Sequence, residues 1–151
     1  MYLTFALDQS TQKLFFEKTL MPKFFALIPA AGSGSRMGHE LPKQYLTLNN
    51  RPMIYYAINT LYHDPHISQI LVILAPSDND WAKYDWSEFS QKLTVFKCGG
   101  NTRALSVQNG LSEARDKNIV DENDWILVHD AARPCLTSDQ LDKLIKEVAD
   151  D

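Results

Sequence analysis

Cysteine and histidine are scarce in this sequence of 151 residues. The two cysteines, Cys98 and Cys135, stand far apart and in no metal-ligand spacing, and the four histidines are scattered along the chain. The sequence therefore predicts neither a cysteine–histidine metal site nor a histidine ligand cluster. We expect reduced thiols in a cytoplasmic protein.

Long apolar runs and an excess of positive charge are also lacking. No run approaches the ~20 apolar residues that span a bilayer, so we expect no membrane partner. Near the N-terminus, Asp8 and Glu17 interrupt any apolar region and no basic leader precedes it, which argues against a secretion signal. The formal net charge is −4, whereas nucleic-acid binders normally carry a surplus of Lys and Arg. No nucleic-acid partner is expected, although a local pocket for a phosphorylated small molecule is compatible with this charge.

The composition that remains is that of one ordinary globular domain, with 44% hydrophobic and 23% charged residues. Residues 1–22 contain no turn motif and no site pattern, and Met21 stands just before the first predicted strand. We therefore divide the chain into an N-terminal extension, residues 1–22, and a domain over residues 23–151. Met21 is the expected functional start.

From residue 24 onward, predicted strands and helices alternate. Short apolar runs predict strands over 24–28, 70–74, 93–96 and 125–128. A helix is predicted over 53–63, after a small extended excursion that turns at Asn49-Asn50, and a short helix or loop is expected within 76–88. Two further helices have predicted inner faces formed by Ala104, Val107, Leu111 and Ala114, and by Leu141, Leu144, Ile145 and Val148. Thr137 and Gln140 form a capping-box pattern at the start of the last one.

This alternation predicts an α/β fold with three layers, α/β/α, around a mostly parallel sheet. Such sheets bind ligands beyond the carboxyl ends of their strands. Glycine-rich or polar segments follow three of the predicted strands, at 30–38, 98–101 and 129–133. We therefore expect one site at that edge of the sheet.

The segment 30–38 is a glycine-rich loop after a buried strand. It is not the Gly-x-Gly-x-x-Gly dinucleotide fingerprint, because Met37 occupies the place of the third glycine, and no Gly-Lys-Ser/Thr follows as in a Walker A loop. Its backbone can turn tightly and direct N–H groups at an anion. Arg36 and Lys43 add two cations close by in sequence. The loop therefore predicts a phosphate cradle.

Three segments in the same order resemble the signatures of the 2-C-methyl-D-erythritol 4-phosphate cytidylyltransferase family. They are residues 29–38 with Leu41-Pro-Lys-Gln-Tyr45, residues 99–107, and residues 128–134. The resemblance runs from about residue 24 to the end of the chain. It implies a Rossmann-like fold of the nucleotide-diphospho-sugar transferase type, with residues 23–151 as its nucleotide-binding part. It also implies transfer of CMP from CTP to methylerythritol phosphate, with release of pyrophosphate, in non-mevalonate isoprenoid synthesis.

The same resemblance implies roles for individual residues. Arg36 and Lys43 would be catalytic and neutralise charge on the phosphates, and Asp130 would bind Mg²⁺. His129 is assigned no role, and Arg103 is expected only to orient its loop or helix. The residues expected to bind CTP are Ala30, Ala31, Gly32, Gly34, Gly100, Asn101, Ser106, Ala131 and Arg133. Family members carry Asp at the position of Asn101, so the preference for CTP over UTP rests on an amide here.

Two other functions fit the same residues: a cytidylyltransferase for another alcohol phosphate, such as ribitol 5-phosphate, and a non-catalytic nucleotide-binding module. Sugar nucleotidyltransferases and molybdopterin guanylyltransferases share the glycine-rich opening, but Ala30-Ala31 and the segment 129–134 argue against them. Members of the resembled family are homodimers and continue with further strands, a dimerisation arm, a second metal-binding aspartate and another catalytic lysine. We therefore expect a C-terminally incomplete domain whose partners are CTP and a polyol phosphate, with little turnover by residues 1–151 alone.

Overall fold

The computed structural model describes residues 21–33 and 41–149. The strands over these residues are β1 (Phe24–Ala30), β2 (Thr47–Leu48), β3 (Arg51–Pro52), β4 (Ile67–Leu74), β5 (Leu93–Phe96) and β6 (Trp125–Val128). The α-helices are α1 (Met53–His63), α2 (Arg103–Asp116) and α3 (Ser138–Ala149). Short 3-10 helices span Lys43–Tyr45, Trp81–Lys83 and Ser87–Phe89, the last two within the stretch predicted as a short helix or loop. Residues 1–20 of the expected N-terminal extension lie outside the described residues.

Four strands form one parallel sheet in the order β5-β4-β1-β6. β1 is central, and its residues 25–28 are all buried, as the continuous apolar run predicts for a strand covered on both faces. The chain moves outward from β1 to β4 and β5, whereas β6 pairs with the opposite edge of β1. This reversal makes a topological switch point between β1 and β6, and α/β sheets bind ligands in the crevice at such points.

The sheet lies between two helical layers, which confirms the predicted three-layer α/β/α fold. On one face, Ala26 and Ile28 of β1 belong to a buried cluster with residues of α1 and α3. On the other face, Phe25 and Leu27 of β1 pack with residues of α2. Successive side chains of a strand point to opposite faces, so one apolar run supplies both halves of the core.

The predicted inner face of α2 is confirmed for Val107, Leu111 and Ala114, which pack in or against the buried cluster on this side of the sheet, and is wrong for Ala104. Ala104 is exposed, and the fully buried stripe consists of Ser106, Gly110 and Ala114. A Cβ atom on Gly110 would lie 2.5 Å from Cδ1 of Ile73 in β4. The helix therefore comes close to the sheet at Gly110, a contact that a pattern of apolar residues alone does not detect.

Helix α3 confirms the predicted capping box and corrects the predicted inner face. The Thr137 amide donates to Oε1 of Gln140 at 3.1 Å, and the Gln140 amide donates to Oγ1 of Thr137 at 3.3 Å. Leu141 and Ile145 are buried, but Leu144 is 45% exposed. Leu144 is one residue from Ile145, so it points about 100° around the helix from the contact line. The buried stripe of α3 is narrower than the sequence pattern suggested.

A small antiparallel hairpin, β2 and β3, connects the first 3-10 helix to α1. Its two-residue turn is Asn49-Asn50, with φ values of 47° and 65°. Positive φ at both positions is what a type I′ hairpin turn requires, and asparagine tolerates it better than most residues. The predicted extended excursion with a turn is confirmed.

Among the described residues, no helix is both long and apolar enough to pass through a bilayer.

Candidate active site

A cavity of about 690 Å³ opens at the carboxyl ends of the parallel strands, beside the switch point between β1 and β6. All three segments predicted to form the site contribute to its wall, and the segment after β4 joins them. The lining residues come from 29–33, 43–44, 75–77, 99–103 with Ser106, and 130–132.

The glycine-rich loop and the segment around Lys43 are tied together by Gln44. This side chain is only 5% exposed, and its Nε2 donates to the carbonyl oxygen of Ala30 at 2.8 Å and to that of Gly32 at 3.3 Å. Ala30, Ala31, Gly32 and Lys43 all line the cavity, and their contacts with CTP stay a prediction. The other two residues predicted in this loop, Gly34 and Arg36, lie outside the described residues.

Tyr45 anchors the same segment on its other side. Its ring is fully buried and stacks on Tyr84, with ring centroids 5.8 Å apart, and its hydroxyl donates to Oδ2 of Asp78 at 2.7 Å. Burial, together with this hydrogen bond, raises the pKa of Tyr45 above its usual value, so it stays a neutral donor. Because Gln44 and Tyr45 are both fixed, the exposed Lys43 between Pro42 and Gln44 is held at the cavity wall.

The loop after β5 is a tight structure stabilised by Ser106. Ser106 is 2% exposed, and its Oγ accepts a hydrogen bond from the amide of Gly100 at 3.1 Å. The same hydroxyl lies 3.0 Å from the carbonyl oxygen of Thr102. Thr102 in turn caps α2 through its Oγ1, which accepts from the amide of Leu105. Asn101 is exposed at the rim of the cavity, and the hydrogen bonds of Ser106 and Thr102 hold the backbone on either side of it.

Gly99 is the point at which this loop touches the glycine-rich loop. Its amide donates to the carbonyl oxygen of Leu74 at 2.8 Å. A Cβ atom at Gly99 would lie 2.2 Å from Cβ of Ala31 and 2.8 Å from the oxygen of Leu74. Only glycine fits between these two groups, so the distance between the two loops depends on this residue.

Asp130, beyond the end of β6, is held by two arginines. Its Oδ1 accepts a hydrogen bond from Nε of Arg103 at 2.7 Å, and its Oδ2 forms an ion pair with Arg133, whose Nε lies 3.0 Å away. The hydrogen bond from Arg103 lowers the pKa of Asp130, and the charges of Arg103 and Arg133 act in the same direction. Arg103 and Asp130 line the cavity together with the buried Ala131, whereas Arg133 is not among the lining residues. His129, which was assigned no role, donates from Nε2 to the carbonyl oxygen of Arg133 at 2.9 Å.

The chemistry of Asp130 suits a divalent cation that also contacts phosphates, because Mg²⁺ prefers oxygen ligands and commonly uses one or two carboxylates with phosphate oxygens. Its side chain is 28% exposed and reaches the cavity, so a cation can approach it. Each carboxylate oxygen already has a guanidinium partner, however, so a bound cation would lie beside two positive charges, which disfavours its binding as long as both arginines stay.

A second group of potential ligand atoms, from Asp64, His66 and Asp142, lies outside this cavity, within 4.8 Å of one another. Oδ1 of Asp64 accepts from the backbone amide of His66 and lies 3.1 Å from its Nδ1. The contacts of Asp64 are therefore those of a helix-end aspartate in a turn.

The chain matches known proteins over the same region that builds this site. The family model for 2-C-methyl-D-erythritol 4-phosphate cytidylyltransferase matches residues 24–151. This chain belongs to that family. Curated members from Nitrosospira multiformis and Nitrosomonas eutropha are 56% and 53% identical over 131 residues, which are 87% of this chain and 56% of each relative.

Solved structures of the cytidylyltransferase family agree with the fold. A crystal structure of 4-diphosphocytidyl-2C-methyl-D-erythritol synthase superposes with a TM-score of 0.75 and 34% identity, covering 87% of this chain and 56% of that one. The Francisella tularensis enzyme superposes with a TM-score of 0.62 and 32% identity over 85% of this chain and 53% of that one. The chain thus spans about half the length of the curated cytidylyltransferases that it matches.

Several residues that shape this candidate site were not predicted from the sequence. Gln44 and Tyr45 stand inside the Leu-Pro-Lys-Gln-Tyr segment but act through buried hydrogen bonds. Gly99 acts by close approach, and the wall segment 75–77 follows a strand whose end carries no glycine or charged motif. The sequence signal that could have identified segment 75–77 is its position directly after the carboxyl end of β4, since all parallel strands of such a sheet end at the same edge.

Replacing Gln44 by glutamate should destabilise the domain by about 1–3 kcal/mol, because the amide donor is lost and a carboxylate faces two carbonyl oxygens in a buried place. Urea unfolding followed by circular dichroism measures the change. The matched control is Gln91→Glu, the same substitution at an exposed position, and it should leave the free energy of unfolding within about 0.5 kcal/mol of the original. Equal effects of the two substitutions would contradict a stabilising role for the hydrogen bonds from Gln44 to Ala30 and Gly32.

Proposed function

We propose that this chain is the CTP-binding part of an enzyme that transfers CMP from CTP to 2-C-methyl-D-erythritol 4-phosphate and releases pyrophosphate. The observation that carries the proposal is the meeting of the three family segments, far apart in sequence, around one cavity at the switch point of the sheet. Sheets of this kind bind nucleotides at such crevices. Family membership supports the same reaction.

The reaction asks for positioning and charge stabilisation. An oxygen of the acceptor phosphate attacks the α-phosphorus of CTP, a new P–O bond forms, and the bond from the α-phosphorus to its bridging oxygen breaks, so that pyrophosphate leaves with the electron pair. Lys43, exposed at the cavity wall, offers a cation to the developing charge. The backbone of Gly32 is proposed to approach the phosphates closely, since no side chain stands in the way. Gly34 is proposed to bind CTP in the same loop, and Arg36 to neutralise charge on the phosphates.

The cytosine base is proposed to bind at the loop after β5. Gly100 permits a close approach of the ring, and Asn101 presents both donors and an acceptor at the rim. Ser106 supports this loop through its buried hydroxyl, and the proposed contact with the base includes it. The proposal extends to Ala131 and Arg133 on the nucleotide and to Mg²⁺ at Asp130, where the ion would neutralise phosphate charge. By family membership, we further propose that the complete protein is a cytoplasmic homodimer.

Calorimetry with the 151-residue chain tests the nucleotide assignment. With Mg²⁺ present, we expect weak binding of CTP and about tenfold weaker binding of UTP, since a site that pairs with the amino group of cytosine leaves a polar group unpaired with uracil. The Asn101→Asp variant restores the carboxylate and should widen the difference between the two nucleotides. The chain alone should release little pyrophosphate, because it spans about half of its relatives.

Two results would contradict the proposal. Equal affinity for CTP and UTP in the original chain and in the Asn101→Asp variant would contradict the proposed cytosine-binding loop. The absence of any CTP binding would contradict the proposed function. Rapid pyrophosphate release by the 151-residue chain would instead contradict the expectation that residues beyond it are needed.

A further inference from the structure

Arg103 occupies a position that its expected role as a loop or helix support does not explain. It is the first residue of α2, directly after the loop proposed to read the base, and it is 58% exposed. Its side chain crosses to the end of β6 and donates from Nε to Oδ1 of Asp130 at 2.7 Å. The helix begins with a cap from Thr102, so Arg103 is not needed to start it.

The pair between Arg103 and Asp130 is incompatible with full use of Asp130 as a metal ligand. Oδ1 of Asp130 accepts a hydrogen bond from Arg103 and Oδ2 is ion-paired with Arg133, so a divalent cation at this carboxylate would be repelled by two guanidinium charges. We therefore expect one arginine to leave when a metal binds. Arg103 lines the cavity, whereas Arg133 is not among the lining residues, so Arg103 is the arginine that we expect to leave Asp130 first.

A nucleotide provides the new partner. Once Arg103 has left Asp130, its guanidinium group is unpaired in the wall of a cavity that is proposed to hold a triphosphate. Guanidinium groups pair with phosphate oxygens through two parallel hydrogen bonds. The pair can be exchanged at low cost, because ion pairs between partly exposed groups contribute little, but without a metal no other cation takes the place of Arg103 beside Asp130. The incoming cation carries two positive charges and replaces one guanidinium charge beside Asp130, and the phosphates that enter with the cation supply the negative charge that balances the difference.

We propose that Arg103 exchanges partners: it pairs with Asp130 when the site lacks metal and nucleotide, and with a phosphate of CTP when the metal-bound nucleotide enters. This inference rests on the proposed CTP function and adds a residue to it. Arg103 then links the two halves of the site, because metal binding at Asp130 releases the group that grips the phosphates. Its contribution to CTP binding therefore depends on the metal.

The test measures CTP affinity of the 151-residue chain by calorimetry, once with Mg²⁺ and once with EDTA. Arg103→Gln should weaken CTP binding about tenfold in Mg²⁺, where the arginine is free for the phosphate. In EDTA, where it stays with Asp130, the loss should be less than about threefold. Arg103→Lys, which keeps the charge but loses the planar fork, should lie between Arg103→Gln and the original protein in Mg²⁺.

Arg115→Gln is the matched control, because it removes the same charge from an exposed position on the same helix, away from the cavity. It should change neither affinity, and circular dichroism should show all variants folded. Equal losses for Arg103→Gln in Mg²⁺ and EDTA would overturn the exchange and leave a permanent phosphate contact. No loss in either medium, with CTP bound by the original chain, would overturn the inference alone. If the original chain binds no CTP at all, the proposed function fails, and this inference with it.

Discussion

Replacing Gly99 by alanine should destabilise the domain by about 3 kcal/mol and abolish measurable CTP binding. The added Cβ would lie 2.2 Å from Cβ of Ala31 and 2.8 Å from the carbonyl oxygen of Leu74, and the atoms it meets belong to backbone or lie next to it. Neither group can swing aside, so the loop after β5 must separate from the glycine-rich loop. The hydrogen bond from the Gly99 amide to Leu74 would be lost with that movement. Urea unfolding and calorimetry with CTP measure the two effects.

Two other glycines provide graded controls for stability. A Cβ atom at Gly32 meets nothing within 4 Å, so Gly32→Ala should leave the free energy of unfolding unchanged or slightly higher. At Gly110 the nearest atoms are Cδ1 at 2.5 Å and Cγ1 at 2.7 Å of Ile73, which belong to a side chain that can change rotamer. Gly110→Ala should therefore cost less than Gly99→Ala. The reverse order, or an effect at Gly32 as large as that at Gly99, would show that close approach is not the reason for Gly99.

Replacing Lys43 by alanine should lower turnover by about 10²–10³-fold while changing CTP affinity less than about threefold, because a charge directed at the developing negative charge acts mainly in the transition state. Gln44 and Tyr45 hold Lys43 at the cavity wall, and both are independent of its side chain. The variant should therefore fold normally and lose only the cation. Turnover is measured in a protein in which residues 21–149 are joined to the C-terminal part of a relative.

Two further variants distinguish a specific role of Lys43 in the transition state from an effect of the protein's overall charge. Lys43→Arg keeps the charge and should retain part of the activity, although its different shape prevents full recovery. Lys143→Ala removes a lysine that is 79% exposed on α3 and should have no effect on turnover. Equal losses in turnover and in CTP affinity for Lys43→Ala would contradict the transition-state role and leave Lys43 as an ordinary binding contact.

Local patterns were sufficient for most of the fold. The apolar runs at 24–28 and 70–74 lie inside β1 and β4, and the capping pair Thr137–Gln140 marks the start of α3. These features are decided within a few residues of chain: branched apolar residues favour buried strands, and a side-chain acceptor satisfies a free amide at a helix start. The positive φ angles at Asn49 and Asn50 have the same local origin.

The buried faces of the helices needed more than local pattern. Ala104 and Leu144 were placed inside by helical spacing, and both are exposed. The side of a helix that is covered depends on where the sheet lies and how closely the two approach, and α2 comes close to Ile73 of β4 at Gly110. Small residues at a close contact leave no apolar signal in the sequence.

The candidate site divides in the same way. The sequence by itself determined which segments meet, because parallel strands of an α/β sheet end at one edge and the three family segments follow such strands. Only the tertiary structure decided that Gln44 clamps the glycine-rich loop, that Gly99 touches Ala31, and that Arg103 holds Asp130. Gln44 and Ala30 are 14 positions apart in the sequence, and Arg103 and Asp130 are 27 positions apart. Gly99 and Ala31 belong to two different loops. Hydrogen bonds and close approach depend on distances of a few ångströms between separate elements, which are set only when the helices and strands have packed.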